Sequence, residues 1–154
     1  MNNRRKWFLF FCFCAAVLWL FFIFSNSMEN MQVSGDKSEA LLQFLDQKLN
    51  LNLDLMNTKK NNHILRKLAH FGEYFLLELL MFSVLKEKKQ AAVMSFLLCV
   101  TVAFLDEGLQ MLSDRHADLR DVLLDSCGAL TAMLMWLLFG KIRAIFRKRK
   151  NTAK

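Results

Sequence analysis

The chain has 154 residues, of which 55% are hydrophobic and 23% are charged, and it contains no proline. This length fits a single domain, and so large an apolar fraction excludes a disordered chain. The net charge of +7 is compatible with binding to nucleic acid or to a membrane surface, so the positions of the basic residues must decide between them.

The first predicted element is a membrane span over residues 7–24, which are uncharged and follow three basic residues at 4–6. At about 1.5 Å per residue the stretch covers about 27 Å, close to the thickness of a hydrocarbon core. The alternative is a secretory signal cleaved near Ser25 or Ser27. The apolar region is longer than that of an ordinary signal peptide, which favours a retained anchor. Both interpretations place the residues that follow outside the cytoplasm.

Residues 25–62 are predicted to form an extracytoplasmic loop that contains one short amphipathic helix. Ser38 is expected to cap this helix at its N-terminus. We expect the helix to lie on the outer membrane face or on the bundle. Its apolar side is formed by leucines at helical spacing, namely Leu41, Leu42, Leu45 and Leu49.

Three further spans are predicted, over residues 64–85, 91–112 and 121–139. The stretch 64–85 is the least obvious, because each charge in the middle of a span costs about 2.5 to 3.5 kcal/mol of insertion free energy. It can still insert if its polar start lies near the interface and its charges face partner helices. The predicted fold is therefore an all-α integral membrane bundle of four transmembrane helices.

The basic residues predict the orientation of this bundle. Most of the 21 lysines and arginines lie in residues 1–6, in the loop 86–90 and in the basic tail 141–154. The positive-inside rule therefore predicts a multi-pass cell-membrane protein with both termini in the cytoplasm. Because the positive charge is explained by orientation, no nucleic-acid partner is expected.

The cysteines predict neither a disulfide nor a metal site. All four lie within predicted spans, where they act as small apolar residues. They are Cys12, Cys14, Cys99 and Cys127.

Ionisable and amide side chains share helix faces within the last three spans. In the second span Arg66, His70 and Glu73 form one stripe, flanked by Lys67 and Tyr74. The third span has Asp106 and Gln110 on one face, with Glu107 beside them. In the fourth, the stripe consists of Asp121, Asp125, Gly128 and Ala132, whose small members allow another helix to approach closely. The loop 113–120 adds Arg115.

The predicted topology brings these stripes to the outer leaflet and leaves the inner half of the bundle almost wholly apolar. A polar clasp that only holds the helices together is one interpretation. Carboxylates outnumber cations in the cluster, however, and unpaired buried carboxylates are costly. We therefore favour a binding site. It comprises Arg66, Lys67, His70, Glu73, Tyr74, Asp106, Glu107, Gln110, Arg115, Asp121 and Asp125.

These motifs, taken in order, resemble the VanZ-like family of bacterial membrane proteins. The resemblance rests on Phe24-Ser25-Asn26-Ser27, Arg66-Lys67-x-x-His70-Phe71-x-Glu73-Tyr74, Asp106-Glu107-x-x-Gln110, and Arg115 and Asp121 ahead of Gly128. It covers roughly residues 7–140 and implies a small four-helix membrane protein. The family is named for a member that gives low-level resistance to teicoplanin, a lipid-bearing glycopeptide. Asp125 departs from the family pattern, which usually has Asn one turn after the aspartate.

Three functions are compatible with such a site. The favoured one is non-enzymatic binding of an amphiphilic cell-envelope molecule, such as a lipoglycopeptide or a cell-wall precursor, with Arg66, Lys67 and Arg115 holding its anionic groups. An enzyme acting on a lipid-linked phosphate or ester is the first alternative, although no recognised catalytic signature is present. Ion- or proton-coupled transport is the second. Membrane lipid is an expected partner, and no cofactor is predicted. The candidates for catalysis are His70, Glu73, Asp106 and Glu107.

Overall fold

The computed structural model describes residues 3–29, 31–49, 58–112 and 118–152. Within these ranges the chain forms helices and no strand, which confirms the all-α prediction. The helices in chain order are α1 (Asn3–Ser27), α2 (Met31–Leu49), α3 (Thr58–Leu85), α4 (Ala91–Leu112) and α5 (Leu119–Thr152).

Four of these helices are long and apolar enough to cross a membrane, as predicted. Their spanning segments are Asn3–Ser27, Asn61–Leu85, Ala91–Leu112 and Leu119–Arg149. Large apolar side chains on their outer surfaces, such as Phe11, Leu18 and Phe21, are exposed. Helix surfaces covered by large apolar side chains suit contact with lipid rather than with water. The chain is therefore a multi-pass membrane protein.

Helix α3 is central, since it packs against α1, α2, α4 and α5. Small side chains on one face of α4, including Ser95 and Ala103, are fully buried and let the neighbouring helices approach. The four cysteines are free thiols. The buried apolar core consists of Ile23, Tyr74, Leu77, Cys99, Ala103, Val122 and Ala129.

Helices α3 and α5 cross closely at Gly128. A Cβ atom at this position would overlap the backbone carbonyl of Phe71, so only glycine fits there. Ala132, one turn further along α5, is also fully buried. The predicted close packing along the small-residue stripe of this helix is confirmed, and it sets Asp125 of α5 against α3.

One end of the bundle, which we call the basic end, joins the start of α1 to the turn between α3 and α4. Arg5 forms an ion pair with Glu87, and the Lys86 ammonium lies 4.4 Å from the ring centroid of Phe8. Helix α5 continues through most of the predicted basic tail, with residues 141–149 exposed.

The short helix α2 lies between the first two spans and packs against α3. It begins at Met31, so the prediction that Ser38 caps it was wrong. Ser38 lies within the helix, where its hydroxyl donates a hydrogen bond to the carbonyl of Ser34 at 2.9 Å, as serines inside helices often do. Two of the four leucines predicted on the apolar side, Leu45 and Leu49, have side chains outside the described part of the structure.

Candidate functional site

The opposite end, which we call the polar end, is where α1 and α4 finish and α3 and α5 start. Two hydrogen bonds fix the end of α1 to α3 there. Trp19 Nε1 donates to the backbone carbonyl of Glu73 at 2.9 Å, and Asn26 Nδ2 donates to Glu73 Oε1 at 3.1 Å. Glu73 is thereby held at the junction of two spans.

Three ionisable side chains from three different helices meet beside Glu73. His70 Nδ1 lies 3.7 Å from Glu73 Oε2 and 3.9 Å from Asp125 Oδ1. One ligand atom each from His70, Asp106 and Asp125 lies within 4.8 Å of the other two. We call these three residues the buried cluster, because Asp106 and Asp125 are at most 2% exposed and His70 is partly buried.

Two neighbours complete the surroundings of the buried cluster. Gln110 Nε2 donates a hydrogen bond to Asp106 Oδ2 at 3.3 Å, and both side chains are buried. The Tyr74 side chain is 0% exposed. Its hydroxyl interacts electrostatically with Asp106 and Asp125. The sequence-predicted stripes of α3, α4 and α5 therefore do come together.

Glu107, in contrast, is directed to the start of α5. Its Oε1 accepts a hydrogen bond from the backbone N–H of Asp118 at 2.6 Å. Asp118 in turn caps α5, since its Oδ1 accepts from the N–H of Arg120 at 2.9 Å. Glu107 thus supports the helix junction next to the buried cluster.

The predicted cations are placed differently from one another. Lys67 Nζ lies 3.2 Å from Asp121 Oδ1, and both side chains are about one-third exposed. This ion pair joins α3 to α5. Arg66 lines a cavity between α1, α2 and α3. Arg115 lies outside the described residues.

A cavity of about 330 Å³ opens at the polar end between α1, α2 and α3. One wall comes from α2, which the sequence analysis did not include in the site. The amphipathic pattern of α2 was visible, but its docking beside α3 was not. The lining combines apolar and polar side chains: Phe22, Asn26, Glu29, Ser34, Lys37, Ser38, Leu41, Leu65, Arg66, Ala69, His70 and Glu73.

The expectation that the half towards the basic end is almost wholly apolar was wrong at one position. Glu78 is 0% exposed, and its Oε1 accepts a hydrogen bond from the Ser95 hydroxyl at 2.6 Å. Ser95 lies one turn into α4, and the Cys99 thiol also interacts with Glu78. Glu78 follows Tyr74 by four residues, so its position on the core stripe of α3 was a signal that could have revealed it.

The four helices able to span a membrane define a polytopic membrane protein, and the ionisable side chains of the buried cluster are gathered at one end. The family model described as VanZ/LLP1 matches residues 8–140. The chain therefore belongs to this family, in agreement with the resemblance of its motifs. No curated protein and no solved structure matches the chain.

Proposed function

We propose that this VanZ-like protein binds an amphiphilic molecule of the cell envelope at its polar end and thereby changes the availability of that molecule at the surface. The molecule carries an anionic or polar headgroup and an acyl or polyprenyl chain. A lipoglycopeptide of the teicoplanin type and a lipid-linked cell-wall precursor both have this chemistry. In the first case the protein contributes to resistance.

The observation that carries this proposal is the mixed lining of the cavity. Arg66 supplies a guanidinium group at its wall, and guanidinium groups bind phosphate and carboxylate. Lys37 lies at the same wall, where its ammonium forms an ion pair with Glu29. Phe22, Leu41 and Leu65 supply apolar surface in the same cavity. A headgroup and the first part of a hydrocarbon chain therefore both find suitable contacts.

The proposal places the polar end at the outer leaflet. The basic end carries Arg5 and Lys86 beside the exposed basic part of α5, and clusters of basic residues remain on the cytoplasmic side. A reporter fused at Asn61 is expected to be active only outside the cytoplasm. Activity of that fusion only in the cytoplasm would contradict the orientation.

Direct binding to the full chain in lipid nanodiscs tests the function. Teicoplanin and undecaprenyl phosphate are titrated separately, and vancomycin serves as the glycopeptide control that has no acyl chain. We expect saturable binding of at least one acylated or prenylated ligand and much weaker binding of vancomycin. Equal binding of all three, or binding of none, would contradict the proposal.

Three variants connect binding to the cavity. Arg66→Gln removes a positive charge from the cavity lining, and Glu73→Gln neutralises a carboxyl group of the same lining. Glu78→Gln is the matched control, because it also neutralises a buried carboxyl group of α3 but lies outside the cavity lining. We expect the first two to weaken binding about 10-fold or more and the control to retain it, since a charge-assisted hydrogen bond contributes roughly 1.5 to 3 kcal/mol.

Expression and thermal stability of these variants and of Asp106→Asn distinguish a binding site from a clasp. If Glu73→Gln and Asp106→Asn fold normally but lose binding and teicoplanin resistance, the binding function is supported. If both variants fail to accumulate while Arg66→Gln binds like the wild type, the polar end is only a clasp and the proposal is wrong.

A further inference from the structure

The buried cluster has the composition and spacing of a metal site. His70, Asp106 and Asp125 come from α3, α4 and α5, and one potential ligand atom from each lies within 4.8 Å of the other two. In a site with metal–ligand distances near 2.0 to 2.2 Å, ligand atoms lie about 3 to 4 Å apart. Small side-chain rotations are therefore enough to enclose an ion.

A second observation points to a ligand at the same place. The Tyr74 side chain is 0% exposed, and its hydroxyl has no hydrogen-bond partner among the residues that the structure describes. Tyr74 shares the buried core with Ala103 of α4 and Val122 of α5. These two residues lie one turn before Asp106 and Asp125, and the charges of both carboxylates act on the Tyr74 hydroxyl. A buried polar group without a partner is costly, and a metal-bound water or ligand oxygen would provide that partner.

The two carboxylates of the buried cluster favour a cation as the ligand. Asp106 and Asp125 are two carboxylates at 0% and 2% exposure, and their neighbour Glu73 lies against His70. The ammonium of Lys67 pairs with Asp121 instead. Bringing several carboxylates together in a low-dielectric site is unfavourable unless protons or a cation offset their charge.

We propose that His70, Asp106 and Asp125 bind one divalent metal ion, for which Zn²⁺ and Mn²⁺ fit the ligand set best. One imidazole nitrogen with two carboxylate oxygens suits these ions. Gln110 orients Asp106 through its hydrogen bond, as outer groups commonly do at metal sites. Glu73 Oε2 lies 3.7 Å from the His70 nitrogen that also faces Asp125 and so borders the same site.

The ion would also explain how the cavity binds a headgroup. His70 and Glu73 line the cavity, so a coordination position of the ion can face it. A phosphate or carboxylate oxygen of the amphiphile would occupy that position. This last step rests on the proposed function, whereas binding of the metal alone does not.

Metal binding is tested first without any amphiphile. The full chain, purified in detergent and treated with a chelator that is then removed, is titrated with Mn²⁺ and followed by electron paramagnetic resonance. We expect one tightly bound Mn²⁺ per chain, which Zn²⁺ displaces. Electron spin-echo modulation should show coupling to a nitrogen nucleus, because an imidazole is one of the ligands.

Substitutions of the three proposed ligands test whether these residues bind the metal. His70→Gln, Asp106→Asn and Asp125→Asn are each expected to weaken Mn²⁺ binding at least about 10-fold, and Glu78→Gln to leave it unchanged. Absence of tight Mn²⁺ binding in the wild type, absence of nitrogen coupling, or equal affinity in all folded variants would overturn the proposal. Because the first two results need no variant, failure of a variant to fold leaves the test intact.

Repeating the nanodisc titrations with and without Mn²⁺ tests the connection to the headgroup. If Mn²⁺ strengthens amphiphile binding to the wild type but not to Asp125→Asn, the ion faces the headgroup. If the metal binds and amphiphile binding is unchanged, that part of the proposal is wrong while the proposed function stands. If the metal binds and no amphiphile does, the proposed function fails and the metal site remains.

Discussion

The two halves of the bundle both bury carboxyl groups, but in different ways. Towards the basic end, Glu78 is the buried carboxyl, and its immediate polar neighbours are the neutral hydroxyl of Ser95 and the thiol of Cys99. At the polar end, Asp106 and Asp125 lie together with His70 and next to Glu73. The first arrangement is a single carboxyl group with a neutral donor, whereas the second concentrates negative charge beside a cavity.

Buried carboxyl groups therefore serve helix packing in one half of the membrane domain and, in the proposed function, ligand binding in the other. A single buried carboxyl with a neutral donor can tie two helices together, as Glu78 ties α3 to α4. Several neighbouring carboxylates stabilise helix packing poorly, because the groups repel one another and only a cation or protons offset their charge. Glu107 shares features of both, since its Oε1 accepts one backbone N–H while the charges of Asp106 and Asp121 also act on it. The following changes test the distinction, in decreasing order of expected effect.

Gly128→Ala should be the most damaging substitution at the polar end. The added Cβ overlaps the Phe71 carbonyl, so α3 and α5 must separate, and His70 moves away from Asp125. We expect a loss of about 3 kcal/mol in unfolding free energy, at the upper part of the range for overpacking. Gly72→Ala is the control, because a Cβ there meets nothing within 4 Å. Equal stability of the two variants in a detergent unfolding titration would contradict the close crossing.

Asp125→Asn should stabilise the metal-free protein, in contrast to most substitutions of buried residues. It removes one of two carboxylates whose oxygen atoms lie within 4.8 Å. We expect a gain of about 1 to 2 kcal/mol in the presence of a chelator, because much of the repulsion between two such charges is relieved. Glu78→Gln, where the described residues place no second carboxylate against the side chain, should show no such gain. A loss of stability in Asp125→Asn would indicate a clasp.

Asp118→Ala should have a smaller effect, confined to the start of α5. It removes the oxygen that accepts the N–H of Arg120, and loss of such a cap costs about 1 kcal/mol. Asp118→Asn retains an acceptor and should be close to the wild type. Amphiphile binding by both variants should be normal, because Asp118 lies outside the cavity lining. A binding defect in either variant would extend the site to this junction.

Lys67→Ala should have the smallest effect on stability. The ion pair of Lys67 with Asp121 is about one-third exposed on both sides, and pairs of this kind contribute less than about 1 kcal/mol. Arg66→Ala, one position earlier, is the matched comparison, since it should weaken amphiphile binding far more than Lys67→Ala does. Thermal unfolding and nanodisc binding of the two variants check this, and the reverse pattern would contradict the assignment of Arg66 to the cavity.

Much of the fold could be predicted because helix faces are visible in the sequence. The stripe of Asp121, Asp125, Gly128 and Ala132 predicted a close crossing, and the structure has it at Gly128. The segment 64–85 could be identified as a span despite its charges, since those charges share a face and can be directed at other helices. These inferences need only the period of the α-helix.

The features that were missed depend on contacts between segments far apart in the chain. The Glu78–Ser95 hydrogen bond requires the axial register of α3 against α4, which neither helix specifies alone. The wall that α2 contributes to the cavity through Lys37 and Leu41 depends on where a short helix docks. The start of α2 at Met31 was missed because serine is as compatible with a helix interior, through its bond to Ser34, as with a cap.

The most direct test of the central claim uses Trp19 as a reporter of the polar end. Trp19 donates a hydrogen bond to the Glu73 carbonyl and stacks on Phe22, which lines the cavity. With Trp7 and Trp136 replaced by phenylalanine, the fluorescence of Trp19 is titrated with teicoplanin and with undecaprenyl phosphate in nanodiscs. The account predicts a saturable change for at least one of them that persists in Glu78→Gln and is lost or weakened about 10-fold in Arg66→Gln. A signal that does not saturate, or that is identical in the two variants, would contradict a binding site at the polar end.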